Sequence, residues 1–454
     1  MSAFGAAGAR AQVVTYNFDV NGATAGFGVT TGSTYDWDDT TNGGFWSNNS
    51  VSTTGNIATN GWVQGNFPKF QPAGAPTYTV TVSNTESIAG AFFSTAQTVT
   101  LNPIGSGNLS IVSGNQGILG SGSADVTINV PLTGTGSIQP SNGGNLRFNA
   151  VNTYTGGTNL VSTGTLIHFN NGSAFGTGPI NVNVTTSTTA FVPLLASGGA
   201  TVTLPNNFTN ISTGTGAAGI NFAADASTPV VSTGTWTLGA PSFVLRNNGG
   251  STSPLTLSNT ISGSGNITLS TNSTGSVITF SGPNTYTGTT SITGAGGTGA
   301  GSGKVTLKLG AINTIASSSN VNLAGGVLDP DGFNQNMSST TLTLSASTAG
   351  STIDYEAGAA EVDFANSSGV PWASGTTLNL ANWNPGSTRL RFGTDPTGLL
   401  SAQLAEIEFN GSGLGTAQLD NQGYVVNPAP EPSSLLLVGA GAAGLGWYRR
   451  RRRA

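Results

Sequence analysis

The chain has 454 residues, of which 7% are charged, 68 are glycine, one is histidine and none is cysteine; without cysteine, disulfides, thiolate metal sites and cysteine nucleophiles are excluded. The formal charge of −5 conceals an asymmetry: five of the thirteen basic residues are Arg449–Arg453, and the remaining 8 basic against 18 acidic residues leave the body near −10, which excludes the basic footprint of a nucleic-acid-binding protein. Disorder is disfavoured too, because 36% of the chain is hydrophobic and low charge with ample apolar surface permits burial.

The first residues end in Ala9-Arg10-Ala11, a small-x-small pattern of the kind cut by signal peptidase. Residues 1–11 are therefore read as the remnant of a signal peptide, the alternative being an ordinary Ala-rich terminus. Residues 12–70 are aromatic-rich, with Trp37-Asp38, Gly44-Phe45-Trp46, Gly61-Trp62 and Phe67-Pro68-Lys69-Phe70. They are read as a cap, with the tryptophans packed inside it rather than stacked on sugars.

From residue 71 to 369, short runs alternate apolar and polar residues. Examples are Thr77-Tyr-Thr-Val-Thr-Val82, Val126-Thr-Ile-Asn-Val130, Val305-Thr-Leu-Lys-Leu309 and Thr341-Leu-Thr-Leu344. Each is bounded by Gly, Asn or Ser, the mark of half-buried strands between tight turns. No 3.6-residue apolar pattern persists. So many short strands in so long a chain predict an all-β solenoid whose coils bury one apolar face per rung. At about 20–29 residues per rung, residues 60–425 would make roughly 12–18 rungs. The open ends of such a rod must be covered, and residues 370–427 are read as the C-terminal cap.

The body also repeats itself. Leu132-Thr-Gly-Thr-Gly-Ser-Ile138 leads into Asn152-Thr-Tyr-Thr-Gly156, and Ile261-Ser-Gly-Ser-Gly-Asn-Ile267 leads into Asn284-Thr-Tyr-Thr-Gly288, the pentapeptides lying 132 residues apart. The copies occupy about 132–182 and 261–334. Thr163-Gly-Thr-Leu166 and Asn171-Gly-Ser-Ala-Phe-Gly-Thr-Gly-Pro-Ile-Asn-Val182 follow the first, and Gly325-Gly-Val-Leu-Asp329 falls within the second. These strings resemble the autotransporter-associated β-strand repeat. The resemblance implies a right-handed parallel β-helix.

Candidate chemistry is sparse, and no catalytic, cofactor-binding or metal-ligating residue is assigned. His168 lies in an alternating strand with no visible partner for acid–base work. Asp329-Pro-Asp-Gly332 superficially resembles a calcium loop but lacks the further ligands of one and is explained by turn chemistry. Asp36, Asp38 and Asp39 cluster near Trp37. Asp354, Glu356, Glu361 and Asp363 alternate with apolar residues and are read as the wet face of a strand pair. The glycine-rich stretch 294–303 runs into Lys304-Val305 and so lacks the ending of a phosphate loop.

The C-terminus carries the most specific signal. Pro430-Glu431-Pro432 precedes Ser433-Ser434, a 13-residue apolar run from Leu435 to Trp447, Tyr448, and then Arg449, Arg450, Arg451, Arg452 and Arg453. The run predicts a short hydrophobic helix over about 433–450. Its arginines stop transfer and stay cytoplasmic, and prolines 430 and 432 break the helix from the body. This order of parts in 428–454 resembles the PEP-CTERM sorting signal of Gram-negative bacteria. The resemblance implies a membrane-embedded exosortase as processing partner, transient inner-membrane anchoring through the helix before processing, and a cell-surface or secreted destination. The chain thus reads as an exported, non-catalytic structural or adhesive protein that meets extracellular polysaccharide, with no cofactor and no nucleic-acid partner. The alternative is a polysaccharide-binding or polysaccharide-cleaving β-helix enzyme, which needs paired carboxylates, or Asp with Lys or Arg, on one face. With lysine only at 69, 304 and 308, that set looks hard to assemble. A self-transporting passenger would need a C-terminal barrel in place of this tail.

Overall fold

The computed structural model describes residues 12–427, apart from 22–26, 40–43, 49–60, 113–115, 185–189, 213–217, 225–226, 240–241, 295–302 and positions 95, 121, 142, 162 and 357. The proposed signal-peptide remnant (1–11) and the whole tail, with its expected helix, lie outside the described residues.

Alternation sets the architecture. In Thr77–Val82, Tyr78, Val80 and Val82 point inward and are buried, while Thr77, Thr79 and Thr81 face outward. A strand this short buries too little alone, and the chain answers by winding. Phe67–Phe70, Thr77–Val82 and Thr85–Ile88 form three sides of one coil, and Ala91–Phe93, Thr98–Pro103 and Asn108–Ile111 form the next. Corresponding sides pair in parallel, Phe70 on Phe93, Thr77 on Thr98 and Ile88 on Ile111. The protein is a parallel β-solenoid with three faces and almost no helix, the exceptions among the described residues being Ser401–Leu404 and a three-residue 3₁₀ turn at Gly250–Thr252.

The first face is an 11-stranded sheet continued by a 3-stranded one, Gln335–Met337, Ala360–Phe364 and Thr388–Phe392. The second face is one 13-stranded sheet from Thr34–Asp36 to Leu342–Leu344. The third begins with 3 strands and resumes as 9, from Val202–Leu204 to Ile407–Phe409. Winding starts well ahead of residue 71. Thr15–Phe18 pairs in parallel with Phe67–Phe70, and Thr34–Asp36 with Thr77–Val82.

One apolar core runs the length of the stack, and each fully buried Val, Leu, Ile or Phe in it contributes about 1.5–3 kcal/mol. Stacking also explains the scarcity of charge. Equivalent outward side chains on successive rungs sit about 4.8 Å apart, so like charges would repel along each column, whereas amides bond along it. Asn129 Nδ2 donates to Asn102 Oδ1 at 2.7 Å, Asn149 to Asn129 at 3.0 Å and Asn170 to Asn149 at 3.2 Å.

The two sequence copies fold alike but on different faces. Leu132–Gly134 lies on the third face, and the residues of its pentapeptide lie over it, Thr153 and Thr155 donating backbone N–H groups to the Leu132 and Gly134 carbonyls. Ile261–Gly263 lies on the first face, and Thr285 and Thr287 donate to Ile261 and Gly263. The second copy is therefore rotated by one face about the solenoid axis. In both, the asparagine side chain ties three rungs. Asn152 Oδ1 accepts from Leu132 N at 2.8 Å and its Nδ2 donates to Ala174 O at 2.7 Å; Asn284 does the same with Ile261 N and Thr314 O, at 2.8 and 2.5 Å.

Both ends of the stack carry reversed strands. At the N-terminal end Trp46–Ser47 runs antiparallel to Thr15–Phe18. Its indole sits 4.7 Å from that of Trp37 and 4.8 Å from that of Trp62, centroid to centroid, with Phe18 and Phe70 beside them. At the other end Gln418–Leu419 and Val425–Val426 form an antiparallel hairpin, and Tyr424 bridges antiparallel to Arg391 on the last strand of the first face.

Candidate functional site

A strip of four charges, Glu361, Asp363, Arg389 and Arg391, lies on the outward side of the first face near its C-terminal end. Ala360–Phe364 buries Ala360, Val362 and Phe364, and Thr388–Phe392 buries Leu390 and Phe392. Glu361 and Asp363 therefore point outward, in register with Arg389 and Arg391. Arg391 grips Asp363 with both arms, Nε to Oδ1 at 2.9 Å and Nη2 to Oδ2 at 2.5 Å. Tyr424 comes over from the terminal hairpin. Its hydroxyl donates to Glu361 Oε1 at 2.7 Å, and the guanidinium carbons of Arg389 and Arg391 lie 5.3 and 5.4 Å from its ring centre.

This corrects one expectation. Asp354, Glu356, Glu361 and Asp363 do not share the wet face of a strand pair. Ser351–Asp354 belongs to the third face and Ala360–Phe364 to the first, and Asp363 is only 8% exposed. Burial pushes the Asp363 carboxyl up from its ordinary range while Arg391 draws it back down. The hydrogen bond to Asp363 raises Arg391, and the bond to Glu361 raises Tyr424. Sequence reasoning missed Arg389, Arg391 and Tyr424. The signal was present in Thr388-Arg-Leu-Arg-Phe392, where arginine alternates with core residues.

The other candidates resolve as structure. His168 lies in register with Arg147 on the second face but is 6% exposed, not out on the surface, with Nδ1 3.0 Å from Arg147 Nη1. In the Asp-Pro-Asp-Gly turn, Asp329 Oδ1 accepts from Asp331 N, and Lys308 Nζ sits 3.6 Å from Asp329 and 2.9 Å from Asp331. The lysine stands where a cation would have to go. No group of three or more His, Asp or Glu is placed to hold a metal among the described residues. Trp37, Trp46 and Trp62 are buried at the N-terminal end of the core.

Pro430, Glu431, Pro432 and Arg449–Arg453 lie outside the described residues. They begin just beyond the hairpin, three positions after Asn427. Residues 428–453 match the PEP-CTERM protein-sorting motif. No curated protein and no solved structure matches the chain. A PEP-CTERM signal implies export to the cell envelope or surface and processing by an exosortase. No helix among the described residues is long and apolar enough to cross a membrane.

Proposed function

We propose that this is an exported, non-catalytic structural or adhesive protein of the cell surface or extracellular matrix, built on autotransporter-associated β-strand repeats and sorted by its C-terminal signal. The observation that carries the reading is the direct junction of a PEP-CTERM motif at residue 428 to a solenoid whose last hairpin ends at Val426. A long, charge-poor rod with outward Thr, Ser and Asn columns suits contact with extracellular polysaccharide. The tail holds the body outside, with Arg449–Arg453 on the cytoplasmic side, until an exosortase reads Pro430-Glu431-Pro432.

Intact-mass analysis of the protein from its native host tests the sorting half. The mature chain should lack the arginine cluster, and Glu431→Ala should leave the body folded but unprocessed. A mature chain that still ends at Ala454 overturns it.

The enzymatic reading keeps one observation in its favour, the pairing of Glu361 and Asp363 with Arg389 and Arg391 on one face. Those groups are already committed to one another and to Tyr424. Turnover of a polysaccharide that Glu361→Gln abolishes would replace the non-catalytic proposal.

A further inference from the structure

A cavity of about 360 Å³ opens at the C-terminal end of the solenoid, beside the charged strip and against the terminal hairpin. Its lining includes Trp383, Thr388, Arg389, Asp420, Tyr424 and Asn427. Its size falls in the range of about 300–1,000 Å³ common to small-molecule sites, which combine apolar and aromatic walls with a few placed polar groups.

The walls are fixed before any ligand arrives. Trp383 packs edge-on against Tyr355 at 5.7 Å and tilted against Phe409 at 5.5 Å, and Asn410 brackets its backbone, accepting from Trp383 N and donating to Trp383 O. Trp383 is 8% exposed, and its indole N–H finds no acceptor among the described residues. The Tyr424 ring is held by Glu361 at its hydroxyl and by two guanidinium groups beside it. Asp420 is locked as well. Its Oδ1 accepts from the backbone N–H groups of Gln422 and Tyr424, at 2.8 and 2.9 Å.

The lining charges cancel. Arg389 is the cation, Asp420 the anion, and the remaining polar side-chain groups are hydroxyls, amides and the Trp383 indole N–H. A net-neutral rim disfavours an anionic or cationic ligand, because desolvating an uncompensated charge is costly. It favours a ligand that both donates and accepts at several adjacent positions while offering an apolar C–H face to a ring. Neutral sugars have that chemistry. Vicinal hydroxyls accept from a guanidinium and donate to a carboxylate, and the C–H face of the ring packs on tyrosine or tryptophan. We infer that the cavity between Trp383 and Tyr424 is a binding site for a neutral saccharide unit. This deepens the reading of the chain as a polysaccharide-contacting surface protein and rests on it, but its test is independent of sorting.

The test is isothermal titration calorimetry of the purified full chain with neutral gluco-, galacto- and manno-oligosaccharides, and in parallel with uronate oligosaccharides. At least one neutral oligosaccharide should bind and outcompete the uronates. Asp420→Asn keeps the Oδ1 acceptor of the turn, and Arg389→Lys keeps a cation beside the Tyr424 ring while removing the guanidinium fork, so both variants should keep the parent circular dichroism and melting temperature. Each should weaken binding about tenfold or more, about 1.4 kcal/mol. No heat with any neutral oligosaccharide, binding indifferent to both variants, or a preference for uronates that Asp420→Asn strengthens would each overturn the proposal.

Discussion

Tyr154 and Tyr286 occupy the same buried pose in the two sequence copies, each with its hydroxyl 2.6 Å from the Oγ1 of a threonine four residues on, Thr158 and Thr290. They do so on different faces of the solenoid. A coil's interior presents the same problem on each side, namely how to turn a corner and leave no polar group stranded. The block that solves it is therefore portable from one face to another. Burial holds both phenols in the neutral form, Tyr286 pushed up to about 12 and Tyr154 higher still.

The two tyrosines should not be equally replaceable by phenylalanine. In Tyr286→Phe, the Thr290 hydroxyl keeps Ser319 Oγ at 2.9 Å. In Tyr154→Phe, the Thr158 hydroxyl keeps only the Phe175 carbonyl at 3.4 Å. A buried hydroxyl left poorly partnered costs about 1–3 kcal/mol. Tyr154→Phe should lower local stability by about 1–2 kcal/mol, and Tyr286→Phe by less than about 1 kcal/mol. Hydrogen exchange at the rungs around Thr158 and Thr290 measures both, and the reverse ranking would show that the second partner does not matter.

Glycine makes the same block possible. Gly134 and Gly263 sit at φ of 90° and 102°, and a Cβ on either would lie 2.4 Å from Ile111 O or 2.2 Å from Leu238 O. Alanine there must both adopt a disfavoured backbone and force two rungs apart, so Gly134→Ala and Gly263→Ala should each cost roughly 3 kcal/mol or more. Gly411 also has positive φ, at 69°, but with open space around it. Gly411→Ala should cost only about 1 kcal/mol. Urea unfolding midpoints of the three variants give the comparison; a Gly411 variant as damaged as the others would mean that rung contact contributes little.

The N-terminal end should loosen as pH rises through neutrality. Glu86 is 1% exposed, accepts from Gln64 Nε2 at 2.6 Å and is pushed up to about 7, first by burial and then by Asp38 and Asp36. Its folded value exceeds the ordinary 4.5, so folding takes up a proton between those values. The stability this confers is complete below about 4.5 and is lost as pH rises through about 7. Glu86→Gln keeps the shape and an acceptor while removing the titration. It should raise stability at pH 8 by about 1–3 kcal/mol and leave pH 4 nearly unchanged. Thermal melts at the two values decide it, and equal gains at both would remove Glu86 from the account.

The solenoid was legible because its signal is local and repeated. Period-two runs such as Thr77–Val82 declare an inside and an outside, and Gly and Asn mark the corners. The shared function of Asn152 and Asn284 was foreshadowed by the ordered repeat, but their placement on different faces was not, since face identity depends on summed coil lengths between them. The charged strip was missed for a related reason. Glu361 pairs with Arg389 and is reached by Tyr424 from 63 residues away, and no periodicity within one strand announces which rung will lie beside it. Arginine, not lysine, supplies the cations there. Asp363 and Glu361 looked like a wet face because alternation distinguishes inward from outward but says nothing of what covers the outward side.

That cover depends on Asp363. The Asp363 carboxylate fixes Arg391, Arg391 lies beside the Tyr424 ring, and Tyr424 leads Val425 into the core. Arg391 is therefore a relay between the last full rung and the terminal hairpin. Asp363→Leu should leave a half-buried guanidinium without its partner and cost about 1–3 kcal/mol, below the 3–5 kcal/mol of a fully buried pair because solvent screens it. The paired change Asp363→Leu with Arg391→Leu should restore most of that stability, since an apolar pair of similar volume often replaces an ion pair at no net cost. It should not restore the hairpin, because Tyr424 still loses one of its two cations. Hydrogen exchange at Tyr424 and Val425 separates the two effects. Amide protection there should fall in both variants while global stability falls only in the first. Protection that recovers together with global stability in the double variant would mean that the hairpin is held by its backbone pairing alone and that Arg391 relays nothing.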